Sequence, residues 1–424
     1  MNSRTIQEII SSQEVTSQQR FYLSYLLLFT IVTGLLIPFI PDTFQFDIIR
    51  GGILLSVLIY FFTKKRIFNL PARLIVWFAL LVLFMAIVNF FRQNHFEIVS
   101  LKILITSLFF IVGYNLVRGE KGLYLLIRSF YIGIIIFLVA IALFNFLGIE
   151  GKAIYGSQIA IFGPQGTNLT KEIPLLLFPS MLLFNFNIAK RRRNIIYLLF
   201  VISIVLMLIG QKRGTLLSFG IGFLIYIYFI PNKKRILNIL IISILFMAAT
   251  SVLYWDLIEE VYMSRQERYS IITEGNEDAL ETEARYWEFI SVTGDLENRN
   301  IFEIFFGIGF GSWKIYWGTS RMLHTDYMMF LNDTGLVGLF LYLFIYFKII
   351  QIARYRKNCL SKIDPLSQSL FGMVVLIVVV SMIQGISGFS HGTNLRAYSF
   401  LFLGGALGYF DYHYTRLRAE QKRL

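Results

Sequence analysis

The sequence predicts an all-α polytopic membrane protein with about 12 transmembrane helices and a large extracytoplasmic loop between helices 9 and 10. Three observations predict it. Hydrophobic residues make up 56% of the 424 positions and aromatics 17%, whereas only 15% are charged and the mean hydropathy is +0.65. A soluble domain averages about 25% charged residues. Apolar runs recur at close to the roughly 20 residues needed to cross a bilayer. Lysine and arginine collect in every second connecting loop, as they do on the cytoplasmic side of membrane proteins.

The apolar runs lie near 22–40, 46–63, 72–90, 97–117, 122–147, 173–189, 194–210, 214–230, 236–254, 327–350, 367–390 and 395–410. The second is interrupted by Arg50-Gly51-Gly52, and the last is short. Basic clusters follow alternate runs: Lys64-Lys65-Arg66 with Arg73, Arg118 with Lys121, Lys190 to Arg193, Lys233 to Arg235, Arg354 to Lys362, and Arg416 to Arg423. That alternation predicts both termini in the cytoplasm. The polar start of the chain and the length of its first apolar run predict a retained span rather than a cleaved leader. The organisation expected is therefore nine helices over 1–254, an extracytoplasmic loop over 255–326 that is partly helical, and three helices over 327–424.

Between these spans, two long outside loops are expected at 148–171 and 255–326. The second holds fourteen Asp or Glu against six Lys or Arg, so it is no general anion trap. Leu280, Ala284, Trp287 and Ile290 stand at helical spacing and predict a helix over Asp278 to Ser291. Phe306-Gly307-Ile308-Gly309-Phe310-Gly311-Ser312-Trp313 reads as a tight glycine turn; following no strand, it is weak as a nucleotide signature. Gly404 and Gly408 predict close packing of the last helix. Arg50, Glu97 and Lys102 read as interfacial. Cys359 is the sole cysteine, which excludes a disulfide framework and a thiolate cluster. No soluble basic face accompanies the net charge of +13, so nucleic acid is not expected as a partner; membrane lipid is.

Three expected extracytoplasmic residues carry the chemistry best. His324 begins the tenth span where water meets membrane, and histidine exchanges a proton near neutral pH. Arg213 lies at a short turn before the eighth span, and Arg285 on the loop helix. A guanidinium donates two parallel hydrogen bonds to a pyrophosphate and keeps its charge, while a neutral imidazole can take a proton from a sugar hydroxyl. Each also has a plainer account: His324 as an interfacial helix end, Arg213 as a membrane-edge side chain that snorkels, Arg285 as the ion-pair partner of Glu281 or Glu288. His391, in Ser390-His391-Gly392-Thr393-Asn394-Leu395-Arg396, competes for a site role, and Arg396 in the same segment is a further candidate for substrate contact. His95 and His413 read as loop and terminal residues. The metal-ligand spacings are absent, so no metal and no cofactor is expected.

Three segments together resemble the O-antigen ligase and polymerase superfamily. His324-Thr325-Asp326-Tyr327 with Leu331, Asp333-Thr334-Gly335 and Gly338 is similar to that family's histidine segment after its large periplasmic loop. Lys212-Arg213-Gly214 resembles its Ser-Arg-Gly turn, and Phe162 to Asn168 its Gly-x-x-x-Pro-Asn stretch. Thr325 stands where the family usually has Asn, Lys212 where it has Ser, and Ala284 where a Gly commonly precedes the loop arginine. The resemblance implies metal-independent glycosyl transfer from undecaprenyl pyrophosphate at the outer face of the bacterial inner membrane. The acceptor would be lipid A core or a growing glycan. It further implies Arg213 and Arg285 on the donor pyrophosphate, His324 as base, and Tyr327, Asp333 and Asn168 among the substrate contacts. The competing expectation is a lipid-linked glycan flippase or polysaccharide transporter, which would place ionisable residues and broken helices near the bilayer midplane.

Overall fold

The computed structural model describes residues 16–36, 39, 46–64, 70–94, 96–149, 169–186, 188–210, 213–229, 241, 259, 263, 284–313, 323, 325–360, 364–386, 388 and 393–422. Among the described residues every regular element is a helix. In chain order these are α1 (Ser17–Leu36), α2 (Phe46–Lys64), α3 (Leu70–Gln93), α4 (Val99–Leu116), α5 (Gly119–Phe146), α6 (Glu172–Met181), α7 (Lys190–Gly210), α8 (Arg213–Phe229), α9 (Ala284–Leu296), α10 (Ile301–Phe306), α11 (Asp326–Leu360), α12 (Leu366–Gly385) and α13 (Thr393–Gln421). Six of them, α1, α3, α4, α5, α11 and α12, are long and apolar enough to cross a membrane. The chain is thus an all-α protein built to span a membrane several times. The apolar run at 236–254, and the expected boundary at 254/255, lie outside the described residues.

Each remaining expected run meets a helix, with four departures. The run at 173–189 forms only the ten-residue α6 and a 3-10 turn, Leu182–Asn185. Together they rise about 23 Å, short of the roughly 30 Å hydrocarbon core; Ile173 to Met181 are buried all round, so other helices enclose this segment. The tenth run is not continuous: α11 breaks at Gly335, whose φ of 65° and ψ of −167° are open only to glycine. The last apolar run lies inside a longer helix, since α13 extends 29 residues. Arg50-Gly51-Gly52 does not interrupt α2, which passes through it as helix.

The expected close packing of the last helix is present. A Cβ on Gly113 of α4 would meet the Leu401 carbonyl oxygen, and on Gly404 or Gly408 of α13 the carbonyl oxygens of Phe110 or Tyr114. Small residues on both helices let the two backbones touch, the packing available where lipid offers no hydrophobic drive.

Polar contacts divide the bundle into two ends. At one, Gln19 Nε2 donates to Leu116 O at 2.9 Å, Arg192 Nη1 to Tyr124 OH at 3.3 Å and Tyr409 OH to Asp364 Oδ2 at 2.9 Å. Arg356 pairs with Asp411 there at 2.6 Å, and the Tyr355 and Tyr414 hydroxyls lie 3.3 Å apart. This end gathers Arg118, Lys190 to Arg193, Arg354 and Arg416, the basic clusters of alternate loops. The opposite end holds the N-termini of α6, α8, α11 and α13. The direction of α8 follows from its neighbours: Gly222 lies against Phe178 and Val380 and Phe229 against Gly372, so α8 runs antiparallel to α12.

Candidate functional site

At the end away from the basic clusters, three buried polar clusters adjoin one another along α11 and α13. The first docks the glycine turn onto the break in α11. Gly307, Gly309 and Gly311 all have positive φ, so the turn closes as expected. Gly307 and Gly335 lie back to back: a Cβ on the first would strike the Asp333 carbonyl, and on the second that of Phe305. The buried Asp333 then fastens the turn. Its Oδ2 accepts from Gly311 N–H at 2.9 Å and its Oδ1 from Asn332 Nδ2 at 2.6 Å. Arg299, buried after α9, donates from Nη2 to Asn332 Oδ1 at 2.5 Å, from Nη1 to Asn332 O at 3.2 Å and from Nε to Asp295 Oδ2 at 2.6 Å. The backbone completes the joint, with Ile308 N–H on Asn332 O and Phe310 N–H on Met85 O.

The second cluster surrounds the start of α11. Asp326 is fully buried, and Tyr342 OH donates to its Oδ2 at 3.4 Å. The guanidinium of Arg396, also fully buried, faces Asp326, Tyr342 and Tyr346 within electrostatic reach. Tyr327 OH donates to Met382 O of α12 at 2.6 Å. One residue earlier, Thr325 N–H donates to Glu288 Oε2 at 3.1 Å, tying the segment before α11 to α9.

The third cluster lies two residues before Arg396, around the opposite face of α13. Asn394 Nδ2 donates to Glu172 Oε1 at 3.1 Å, and Tyr398 OH to Glu172 Oε2 at 3.0 Å. Arg50 donates to Thr30 O at 3.0 Å and to Asn394 Oδ1, closing a chain from α2 through α13 to α6. Arg50 and Glu97 are therefore buried rather than exposed at an interface; Arg50 finds its polar partners on α1 and α13. Only Lys102 keeps partial exposure.

No protein-family model matches the chain, and no curated protein matches it. The geometry therefore carries the functional argument.

Of the residues singled out by sequence, Tyr327, Asp333 and Arg396 lie at this end with their side chains engaged as above. Arg213 is the first residue of α8, at the same end, and Arg285 the second of α9. Arg285 precedes Glu288 by one helical turn, so its backbone shares a face with the residue that holds Thr325. The side chains of Arg213 and Arg285, and residues Asn168, His324 and His391, lie outside the described set. Glu288, expected as a partner for Arg285, binds the backbone beside His324. Sequence reasoning missed Arg50, Glu172, Asn394, Tyr398 and Arg299. The signal available for Arg50 was a charge inside an apolar run, which is costly unless paired. Among the described residues no three His, Cys, Asp or Glu gather as metal ligands.

Proposed function

We propose that the chain is a membrane glycosyltransferase that moves an oligosaccharide from undecaprenyl pyrophosphate to an acceptor hydroxyl, as an O-antigen ligase or surface-polysaccharide polymerase does. One observation carries this reading. The Glu288–Thr325 bond brings the helix bearing Arg285 against the segment bearing His324, at the end where α8 begins with Arg213. In the proposed step the acceptor oxygen attacks the anomeric carbon as its proton passes to His324. The bond from that carbon to the pyrophosphate breaks, and the arginines hold the departing anion. The N-termini of α8 and α13, with no acidic residue in their first turns, add partial positive charge at this end. The basic clusters gather at the other end, which by the positive-inside rule is the cytoplasmic one. On this reading the site faces the extracytoplasmic side, in the expected twelve-span arrangement with both termini inside.

The test is transfer by the purified full chain in lipid vesicles, with an undecaprenyl-pyrophosphate oligosaccharide as donor and no added metal. Loss of the base in His324→Ala is expected to cost about 10²–10⁴-fold in rate, and Arg213→Ala and Arg285→Ala to weaken donor use. Glu288→Gln, which keeps an acceptor for Thr325 N–H, is expected to exceed Glu288→Ala in activity. Transfer that survives the His324 and Arg213 changes overturns the assignment. The break in α11 and the short, enclosed α6 favour a second reading, a lipid-linked glycan flippase or polysaccharide transporter. That reading predicts donor movement across the vesicle membrane without transfer to any acceptor.

A further inference from the structure

We infer that α10 is an in-plane anchor that seats the glycine turn and its neighbouring helices at a fixed depth in the bilayer surface. The helix is Ile301-Phe302-Glu303-Ile304-Phe305-Phe306, and Ile301 and Phe302 are 75% and 67% exposed, with Phe305 and Phe306 exposed beside them. Phe302 and Phe306 rest on each other, their centroids 4.8 Å apart. A contiguous apolar surface of this kind marks a lipid or protein contact rather than a water-facing one.

The neighbouring helix identifies the contact as lipid. On α3 the exposed apolar residues include Trp77, Leu80, Phe84, Ile87 and Phe91, spaced three and four apart, with Phe90 beside the last. That spacing makes one stripe along a helix long and apolar enough to span a membrane, so the stripe is its lipid face. The stripe ends at Phe91, 81% exposed, and the next residue joins it to α10: Arg92 Nη2 lies 3.5 Å from Glu303 Oε1, and its Nη1 donates to Ile308 O at 3.2 Å. The apolar face of α10 thus continues the lipid face of α3 where that helix leaves the hydrocarbon, the level at which aromatic rings concentrate. Asn300 caps the helix by accepting from Glu303 N–H at 3.0 Å, and Gly307 ends it. From there the chain enters the turn that Asp333 holds, so the depth of α10 sets that of the joint with α11.

The test uses the full chain in vesicles of phosphatidylethanolamine and phosphatidylglycerol, with Cys359→Ser as background and a nitroxide attached to single introduced cysteines. Phe302→Cys and Phe305→Cys report on α10, Phe91→Cys on the α3 stripe and Asn298→Cys on the exposed turn before α10. Relaxation by oxygen and by a water-soluble nickel chelate is measured at each. Labels at 302 and 305 are expected to favour oxygen, as at 91, with a depth of about 5–10 Å below the headgroup boundary; the label at 298 is expected to favour nickel. Nickel access at 302 and 305 matching that at 298 overturns the anchor. Exclusion of both relaxers overturns it too, since a second protein surface then covers the face. If Phe302→Cys prevents folding, Ile301→Cys reads the same face.

Discussion

Replacing Asp333 by alanine should release the glycine turn from α11 without unfolding the bundle. The carboxylate takes a hydrogen bond from Gly311 N–H at 2.9 Å and another from Asn332 Nδ2 at 2.6 Å, both buried. A buried donor left without an acceptor costs about 1–3 kcal/mol. Asn332 Nδ2 keeps Ser312 Oγ at 3.3 Å as a second acceptor, so its loss falls at the low end. The sum is about 2–4 kcal/mol, which multiplies the open population of the joint roughly 30- to 700-fold. Asp333→Asn should fall between wild type and alanine. Its oxygen still serves Gly311, but its amide then faces the amide of Asn332, which cannot turn over without giving up the bond from Arg299. The measurement is native-state hydrogen exchange of amides 308–312 in lipid nanodiscs, with α13 amides as the control for global unfolding. Faster exchange confined to 308–312, in the order wild type, asparagine, alanine, is expected. Unchanged exchange in a folded Asp333→Ala protein would refute the reasoning. It would mean that the backbone bonds of Ile308 and Phe310 hold the turn by themselves.

Two further outcomes follow from the packing. Arg50→Met and Glu172→Leu should each destabilise the folded protein strongly, by about 3–5 kcal/mol when one side of a buried charged network is removed. The double substitution should cost less than the two added together, and thermal unfolding of all four forms in detergent measures that coupling; strict additivity would show that the Arg50–Asn394–Glu172 chain transmits no interaction. Gly113→Ala should lower thermal stability sharply, because the new Cβ meets the Leu401 carbonyl. Gly52→Ala meets nothing within 4 Å and should be tolerated; equal loss from both would refute the close α4–α13 approach.

Much of the helical order was legible because length and hydropathy decide which segments leave water, and those properties are local. The fate of 173–189 was not: its residues are apolar throughout, and only the surrounding helices make it a short enclosed segment instead of a lipid-facing span. Gly335 likewise sits in an apolar run whose pattern gives no sign of its left-handed backbone; the break exists because Gly307 needs the space. The end carrying the buried polar clusters was legible through charge alternation and the motif residues Tyr327 and Asp333. Their partners were not. Arg50 stands near a span end in the sequence, yet its acceptor is Asn394, 344 positions away. Asp333 and the glycine turn were each conspicuous, but their mutual bond depends on a chain path that no local pattern encodes.

The distribution of charge then bears on function more than on stability. At the basic end, exposed cations such as Arg191 and Arg416 cost little beside water and add little when paired. At the other end, Arg50, Arg299, Asp326, Asp333 and Arg396 are taken out of solvent. Burying such groups is expensive, and well-packed apolar residues of the same volume often serve stability equally well or better. Stability alone therefore does not account for their concentration at one end. A membrane protein that must orient an anionic headgroup and a polar acceptor beside hydrocarbon needs fixed, desolvated dipoles there. The clusters supply them at the end where α8, α9 and the segment before α11 converge, which is why the proposed chemistry is assigned to that end.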